Sequence, residues 1–309
     1  MTTPLRSPLC AQFTRQSAND WATALLNGYS QIFLLRHPLC GLLCLLAVGW
    51  AAPQLLGGAL LGSFTGWLTA KRRHYPIADI NSGLYGYNGA LLGLLLSAKL
   101  AWAPLLPLLI ISSSGLSSIG LNHWLRHNRK YASWPAYTAP FVLLSWLFLA
   151  LGDALGMHAN AAMPSPLPSI DLFDWPLAVL RGLSQVLLLN DPVSGLLIAI
   201  GLWLTERRLA FWALAAASLG LLLATLLGQA SDALQGLYGY NTALLAIVLS
   251  QQQRPARWIL SGILLATVLQ LSWLHLGLAN PLTAPFILSC WLLWSLGTWR
   301  RNKLILATS

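Results

Sequence analysis

The chain is poor in charge: 8% of its 309 residues are charged, and 8 residues in all are acidic. Soluble domains use about a quarter charged residues to cover themselves, so a water-exposed exterior is excluded. The near absence of acidic residues from the apolar runs also argues against a cation path or proton relay, which calls for an intramembrane carboxylate or histidine. Cysteine is scarce as well. Cys10, Cys40, Cys44 and Cys290 show no CxxC or Cys/His metal spacing and read as small buried hydrophobes. HExxH, GxSxG and P-loop patterns are missing. The histidines, His37, His74, His123, His127, His158 and His275, fall at predicted membrane edges or loops without carboxylates at useful spacing. These gaps leave no basis for a metal, a cofactor or a catalytic dyad.

What the chain has in excess is apolar surface, 56% of its residues, the composition of a multi-span membrane protein. A net charge of +10 would suggest nucleic acid in a soluble protein, but the basic residues form short clusters between apolar runs. Membrane topology explains that pattern better, and no nucleic-acid partner is expected. The stretch before Asp20 is polar and carries no apolar signal-peptide core, so the first apolar segment is expected to be retained.

The chain also repeats itself. Gly83-Leu84-Tyr85-Gly86-Tyr87-Asn88 returns 153 residues later as Gly236-Leu237-Tyr238-Gly239-Tyr240-Asn241. Ser30-Gln31-Ile32 returns 154 residues later as Ser184-Gln185-Val186, and Thr138-Ala139-Pro140-Phe141 returns as Thr283-Ala284-Pro285-Phe286. Three motifs in one order mean two copies of one unit. Six apolar elements are predicted in the first copy, at about 20–35, 38–52, 54–70, 84–98, 101–121 and 137–151. The second copy supplies six more, at about 175–190, 192–204, 208–228, 237–250, 258–277 and 283–299. Several fall short of the roughly 20 residues that a full span needs.

If the first element of each copy enters and returns on one side while the other five cross, the basic clusters fall on the N-terminal side. These are Lys71-Arg72-Arg73, Arg126 with Arg129-Lys130, Arg207-Arg208, Arg254 with Arg257, and Arg300-Arg301 with Lys303; Lys99 is the exception. By the positive-inside rule that side is cytoplasmic, with both termini. An odd number of crossings inverts the second copy relative to the first, and such copies meet near the midplane, where permeation sites form. The expected fold is an all-α integral membrane protein of two inverted-topology repeats. Each has about five transmembrane helices plus one half-spanning tilted helix, with the pore at the repeat interface. The expected division is an N-terminal tail at 1–19, repeat 1 at 20–156, an external linker at 157–172, repeat 2 at 173–302 and a C-terminal tail at 303–309. Gly58, Gly62 and Gly66, at four-residue spacing, are expected to let helices pack closely.

The chemistry left to the membrane interior is a set of uncharged polar pairs: Gln31 with Gln185, Thr138 with Thr283, and Asn88 with Asn241. Each could simply hydrogen-bond one helix to another. As symmetric pairs they could instead line a path for a neutral solute.

These residues carry a resemblance. The doubled Thr-x-Pro-Phe stretch, the doubled Leu-Tyr-Gly-Tyr-Asn stretch and the Ser-Gln-Val-type helix resemble the urea transporter family over nearly the whole chain after the N-terminal tail. The resemblance implies a homotrimer in membrane lipid, each protomer with its own pore conducting urea passively. It implies that Thr138 and Thr283 stand at the narrow centre and that Gln31 and Gln185, with Val186 beside the latter, lie on tilted half-helices and supply amide oxygens. Leu34 and Leu188 match positions flanking the flat solute, often phenylalanine in the family, and Tyr87, Leu91, Tyr240 and Leu244 match further slot walls. Leucine at 34 and 188, with Phe33 adjacent, and Trp134 before Pro135 depart from the family pattern and imply a differently shaped slot. A short chain of this kind is expected in a bacterial-type inner membrane. The competing readings are a pore for ammonia or short amides, a coupled small-amide transporter and, furthest from the residues, a membrane-embedded enzyme.

Overall fold

Proline and short polar stretches interrupt the apolar runs, and they set the helix boundaries. The computed structural model describes residues 20–131, 133–157, 174–277 and 280–308. The proposed N-terminal tail and almost all of the proposed linker lie outside the described residues.

The first half supplies α1 (Asp20–Gln31), α2 (Pro38–Ala51), α3 (Leu56–Arg72), α4 (Ile77–Asn81), α5 (Tyr87–Lys99), α6 (Leu106–Tyr131) and α7 (Ala139–Ala154). The second half follows in the same order with α8 (Asp174–Ser184), α9 (Pro192–Thr205), α10 (Arg207–Leu226), α11 (Ala230–Leu234), α12 (Gly239–Gln251), α13 (Ala256–His275) and α14 (Ala284–Thr308). The six elements expected in each half are present. Each half adds one short helix, α4 or α11, that periodicity does not announce, because five residues are too few to show a helical repeat. α14 continues to Thr308, through most of the stretch read as a C-terminal tail.

Pro38 and Pro192 open α2 and α9 at the position where a missing N–H costs nothing. His37 and Asp191 precede them as N-caps, accepting from the amides of Cys40 and Ser194. α10 and α13 are each long and apolar enough to cross a membrane alone. The chain bends by 119° between α2 and the segment from Pro53 to Arg72, and by 78° between the segment from Asp174 to Leu187 and α9.

Packing follows the duplication. α3 packs on α5 as α10 packs on α12, and α1 on α2 as α8 on α9. The glycines of α3 make the first of these possible: a Cβ on Gly62 would stand 2.0 Å from the Gly89 carbonyl oxygen, and one on Gly66 would stand 2.2 Å from that of Tyr85. The expected close packing of this stripe is therefore present, backbone against backbone. The halves also join directly, where α2 lies on α9 and the Ser194 hydroxyl donates to the Ala47 carbonyl at 2.9 Å.

The polar groups lie inside and the apolar ones outside. Ser113, Ser114, Asn88, Asn241, Thr242 and Gln270 are buried, while Phe64, Leu143, Leu147, Phe211, Leu264 and Leu222 are exposed. Water would not tolerate that exterior, and lipid does.

Candidate functional site

Each half begins with a helix that stops early. α1 ends at Gln31, and α8 passes through a single 3-10 turn, Gln185–Leu187. The stop is made by the serine just before the glutamine. The Ser30 hydroxyl donates to the Leu35 carbonyl at 3.0 Å and accepts the His37 amide at 3.1 Å; Ser184 repeats this with Leu189 at 3.0 Å and Asp191 at 3.3 Å. These bonds fold the chain back, and the reversal passes through a left-handed leucine, Leu34 at φ 62° and Leu188 at φ 60°. Such a conformation costs a side-chain-bearing residue about 1–3 kcal/mol and survives where the surroundings enforce it.

The short helices then position the glutamines. The Gln31 amide nitrogen donates to the Ser82 carbonyl at 3.0 Å, and that of Gln185 to the Gln235 carbonyl at 3.2 Å. With its N–H side tied to the end of α4 or α11, each glutamine keeps its carbonyl oxygen for another donor. Leu34 and Leu188 are half-buried at the reversals, whereas Phe33 is fully buried. Val186, Leu91 and Leu244 are buried as well.

The centre lies where α7 and α14 begin. Thr138 and Thr283, 2% and 5% exposed, join their hydroxyls at 2.7 Å across the boundary between the halves. The residue before each threonine is again left-handed, Tyr137 at φ 43° and Leu282 at φ 46°, and its carbonyl is held by a tyrosine from the repeated motif. The Tyr87 hydroxyl donates to the Tyr137 carbonyl, and that of Tyr240 to the Leu282 carbonyl at 2.8 Å. Polar groups thus run from Gln31 past α4 and Tyr87 to the threonine pair, and onward past Tyr240 and α11 to Gln185. Of the predicted pairs, the threonines meet each other directly, while Gln31 and Gln185 each bond within their own half.

Asn88 and Asn241 part company. Asn241 donates to Gln270 at 2.9 Å and to the Leu282 carbonyl at 3.2 Å, and accepts the Phe286 amide at 3.3 Å. Asn88, 1% exposed, makes no hydrogen bond with either side-chain polar atom.

A reciprocal pair of tryptophans escaped the sequence reading. Trp146 on α7 donates its indole N–H to the Asn280 carbonyl at 3.0 Å, and Trp291 on α14 donates to the Pro135 carbonyl at 2.8 Å. Each half thereby grips the approach to the other half's threonine. The signal was available: both tryptophans and both acceptor positions are separated by the same 145 residues that separate the threonines. Trp291 further stacks on Trp134 at 5.3 Å, and Trp146 on Trp273 at 5.6 Å; Trp134 thus serves the packing between the halves.

None of the site's groups carries charge, and no cluster of three or more His, Cys, Asp or Glu suited to a metal occurs among the described residues. The arrangement offers neutral oxygens within apolar surroundings, which suits an uncharged polar solute and penalises ions.

Comparison with known proteins agrees. The family model described as "Urea transporter" matches residues 22–298. The chain is 25% identical over 291 residues to "Urea transporter 1" of Capra hircus and 23% identical over 291 residues to that of Ovis aries. It is 24% identical over 297 residues to that of Rattus norvegicus; all three alignments cover 88% of this chain and 73% of the relative. With the family model spanning nearly all of both halves, the chain belongs to the urea transporter family.

Proposed function

We propose that the protein passes urea down its gradient through a narrow slot between its two halves, with Thr138 and Thr283 at the driest point. Its family makes it a urea transporter of a membrane, and not an enzyme. The observation that carries the mechanism is the buried contact of the two threonine hydroxyls, 2.7 Å apart, at the meeting of the halves.

Urea is small, flat and neutral, with N–H donors along its edges. Stripping an amide of water costs roughly 2–7 kcal/mol unless its hydrogen bonds are replaced. The carbonyl oxygens of Gln31 and Gln185 replace them at the two approaches. At the centre the threonine hydroxyls exchange their mutual bond for bonds to the solute, a swap that leaves no oxygen unpartnered. Leu34, Leu188, Leu91 and Leu244 serve as apolar walls against the faces of the molecule, with Val186, Tyr87 and Tyr240 behind them. Tyr87 and Tyr240 hold the threonine turns through the Tyr137 and Leu282 carbonyls.

The two halves are read as inverted repeats, each with five crossings and one half-spanning helix, α1 or α8. Matching helix order and matching pairs of left-handed residues support this reading. Basic residues stand over tryptophans near helix ends, Lys71 over Trp67 at 4.9 Å, Arg207 over Trp203 at 5.6 Å and Arg254 over Trp258 at 5.6 Å. That is the chemistry of a membrane interface; the basic face is read as cytoplasmic, with both termini on it, and the membrane as a bacterial-type inner membrane. The protein is read as a homotrimer with one pore per protomer. Stopped-flow measurement of urea, ammonia and acetamide permeation in proteoliposomes tests the assignment. Urea should pass fastest, and equal rates for all three would replace the selective slot with a general polar pore.

A further inference from the structure

α6 and α13 keep one register. Each residue buried on α13, namely Ile259, Gly262, Ile263, Ala266, Thr267 and Gln270, has a buried counterpart 153 positions earlier on α6. Asn241 and Asn88 are related by the same shift. Gln270 therefore corresponds to Ser117.

In the second half Gln270 completes a network. Its amide oxygen accepts from Asn241, and its nitrogen donates to the Leu237 carbonyl. In the first half a serine hydroxyl stands where that carboxamide arm would be. Tyr85 is bonded to Asn122 at 3.0 Å, and Ser114 reaches the Gly89 carbonyl at 3.5 Å. Those two contacts hold the stretch from Tyr85 to Gly89, which contains Asn88, against the part of α6 from Ser114 to Asn122, which contains Ser117 and Ser118. The amide oxygen and nitrogen of Asn88 and the hydroxyls of Ser117 and Ser118 make no hydrogen bond to protein, although Asn88 is 1% exposed, Ser117 1% and Ser118 0%. Buried polar groups left unpaired cost about 1–3 kcal/mol each, so these atoms call for a partner.

We propose that this cluster is a closed binding site for water, holding about one or two molecules that do for Asn88 what Gln270 does for Asn241. The ligand must both donate and accept, because Asn88 presents a donor and an acceptor beside two hydroxyls. It must also be small, because it fills only the difference between a serine and a glutamine. Water meets both conditions, and every member of the cluster is buried. The Leu282-Thr283 turn is tied directly by Asn241, and the Tyr137-Thr138 turn receives no such bond from Asn88. The inference is independent of which solute the pore carries.

Two measurements on the full-length protein test it. A crystal structure at a resolution that shows ordered water should place density within hydrogen-bond distance of both Asn88 and Ser117. Ser117→Gln should displace that density, bond its amide to Asn88 and raise Tm by a few degrees, with the helices unmoved. Direct bonding of the Asn88 amide to protein in the unsubstituted structure would overturn the proposal. A fall in Tm for Ser117→Gln, the mark of an overpacked side chain, would overturn it equally.

Discussion

At the scale of single residues, what distinguishes the centre is that two hydroxyls from different halves share one buried hydrogen bond. Replacing both by valine, Thr138→Val with Thr283→Val, keeps the shape and removes the oxygens. A buried donor left unsatisfied costs about 1–3 kcal/mol, and each 1.36 kcal/mol in a barrier is about tenfold in rate. Urea flux in proteoliposomes should therefore fall by about ten- to a hundredfold while the protein still folds and assembles; unchanged flux would remove the threonines from the path. The asparagines should separate in stability. Asn241→Leu leaves Gln270, the Leu282 carbonyl and the Phe286 amide short of a partner, so it should lower Tm more than Asn88→Leu, whose side chain bonds no protein group. Equal losses in a thermal melt would show that the network around Asn241 contributes nothing beyond its volume.

At the scale of helices, two devices fix the site. The first is the close approach of α3 to α5. Gly62→Ala would set a methyl 2.0 Å from the Gly89 carbonyl oxygen, whereas a methyl on Gly57 meets nothing within 4 Å. Overpacking costs about 1–3 kcal/mol or more, so Gly62→Ala should sharply reduce the yield of folded protein on size-exclusion chromatography and Gly57→Ala should not. The second is the exchange of tryptophans between α7 and α14. Trp146→Phe and Trp291→Phe keep a ring but lose the N–H that fixes the Asn280 or Pro135 carbonyl. The double variant should slow urea several-fold and remain folded, measured as flux beside a melting curve. Most of the helices were legible in the sequence, because proline, glycine and the repeated motifs mark their ends. α4 and α11 were not, being too short for periodicity. Trp146 and Trp291 were missed for a different reason: a tryptophan in an apolar run looks like packing, and only its offset from the threonine sets it apart.

At the scale of the whole molecule, the repeated motifs build matching local structures at distant points of the chain. Gln31 and Gln185 lie 154 residues apart in sequence, yet one is the last residue of α1 and the other the first after α8, and the serine, left-handed leucine and short neighbouring helix beside them match. The sequence disclosed these pairs, and it could not disclose where the pairing fails. The contrast between Asn88 and Asn241 depends on Ser117 standing at the position that corresponds to Gln270, a relation between helices that no local motif carries. Threonine, glutamine and asparagine do not titrate near neutrality, so urea flux should stay flat between about pH 5 and 8; a bell-shaped profile would bring a histidine into the path.

The central claim is that urea crosses this protein passively, through the oxygen-edged boundary between its halves. It is tested most directly by urea permeability of liposomes containing the purified full-length chain, measured by stopped-flow light scattering against empty liposomes with and without an uncoupler. The account predicts a rate well above the empty control, set by the urea gradient alone and indifferent to the uncoupler. A rate equal to the empty control, or uptake against the gradient that the uncoupler abolishes, would contradict it.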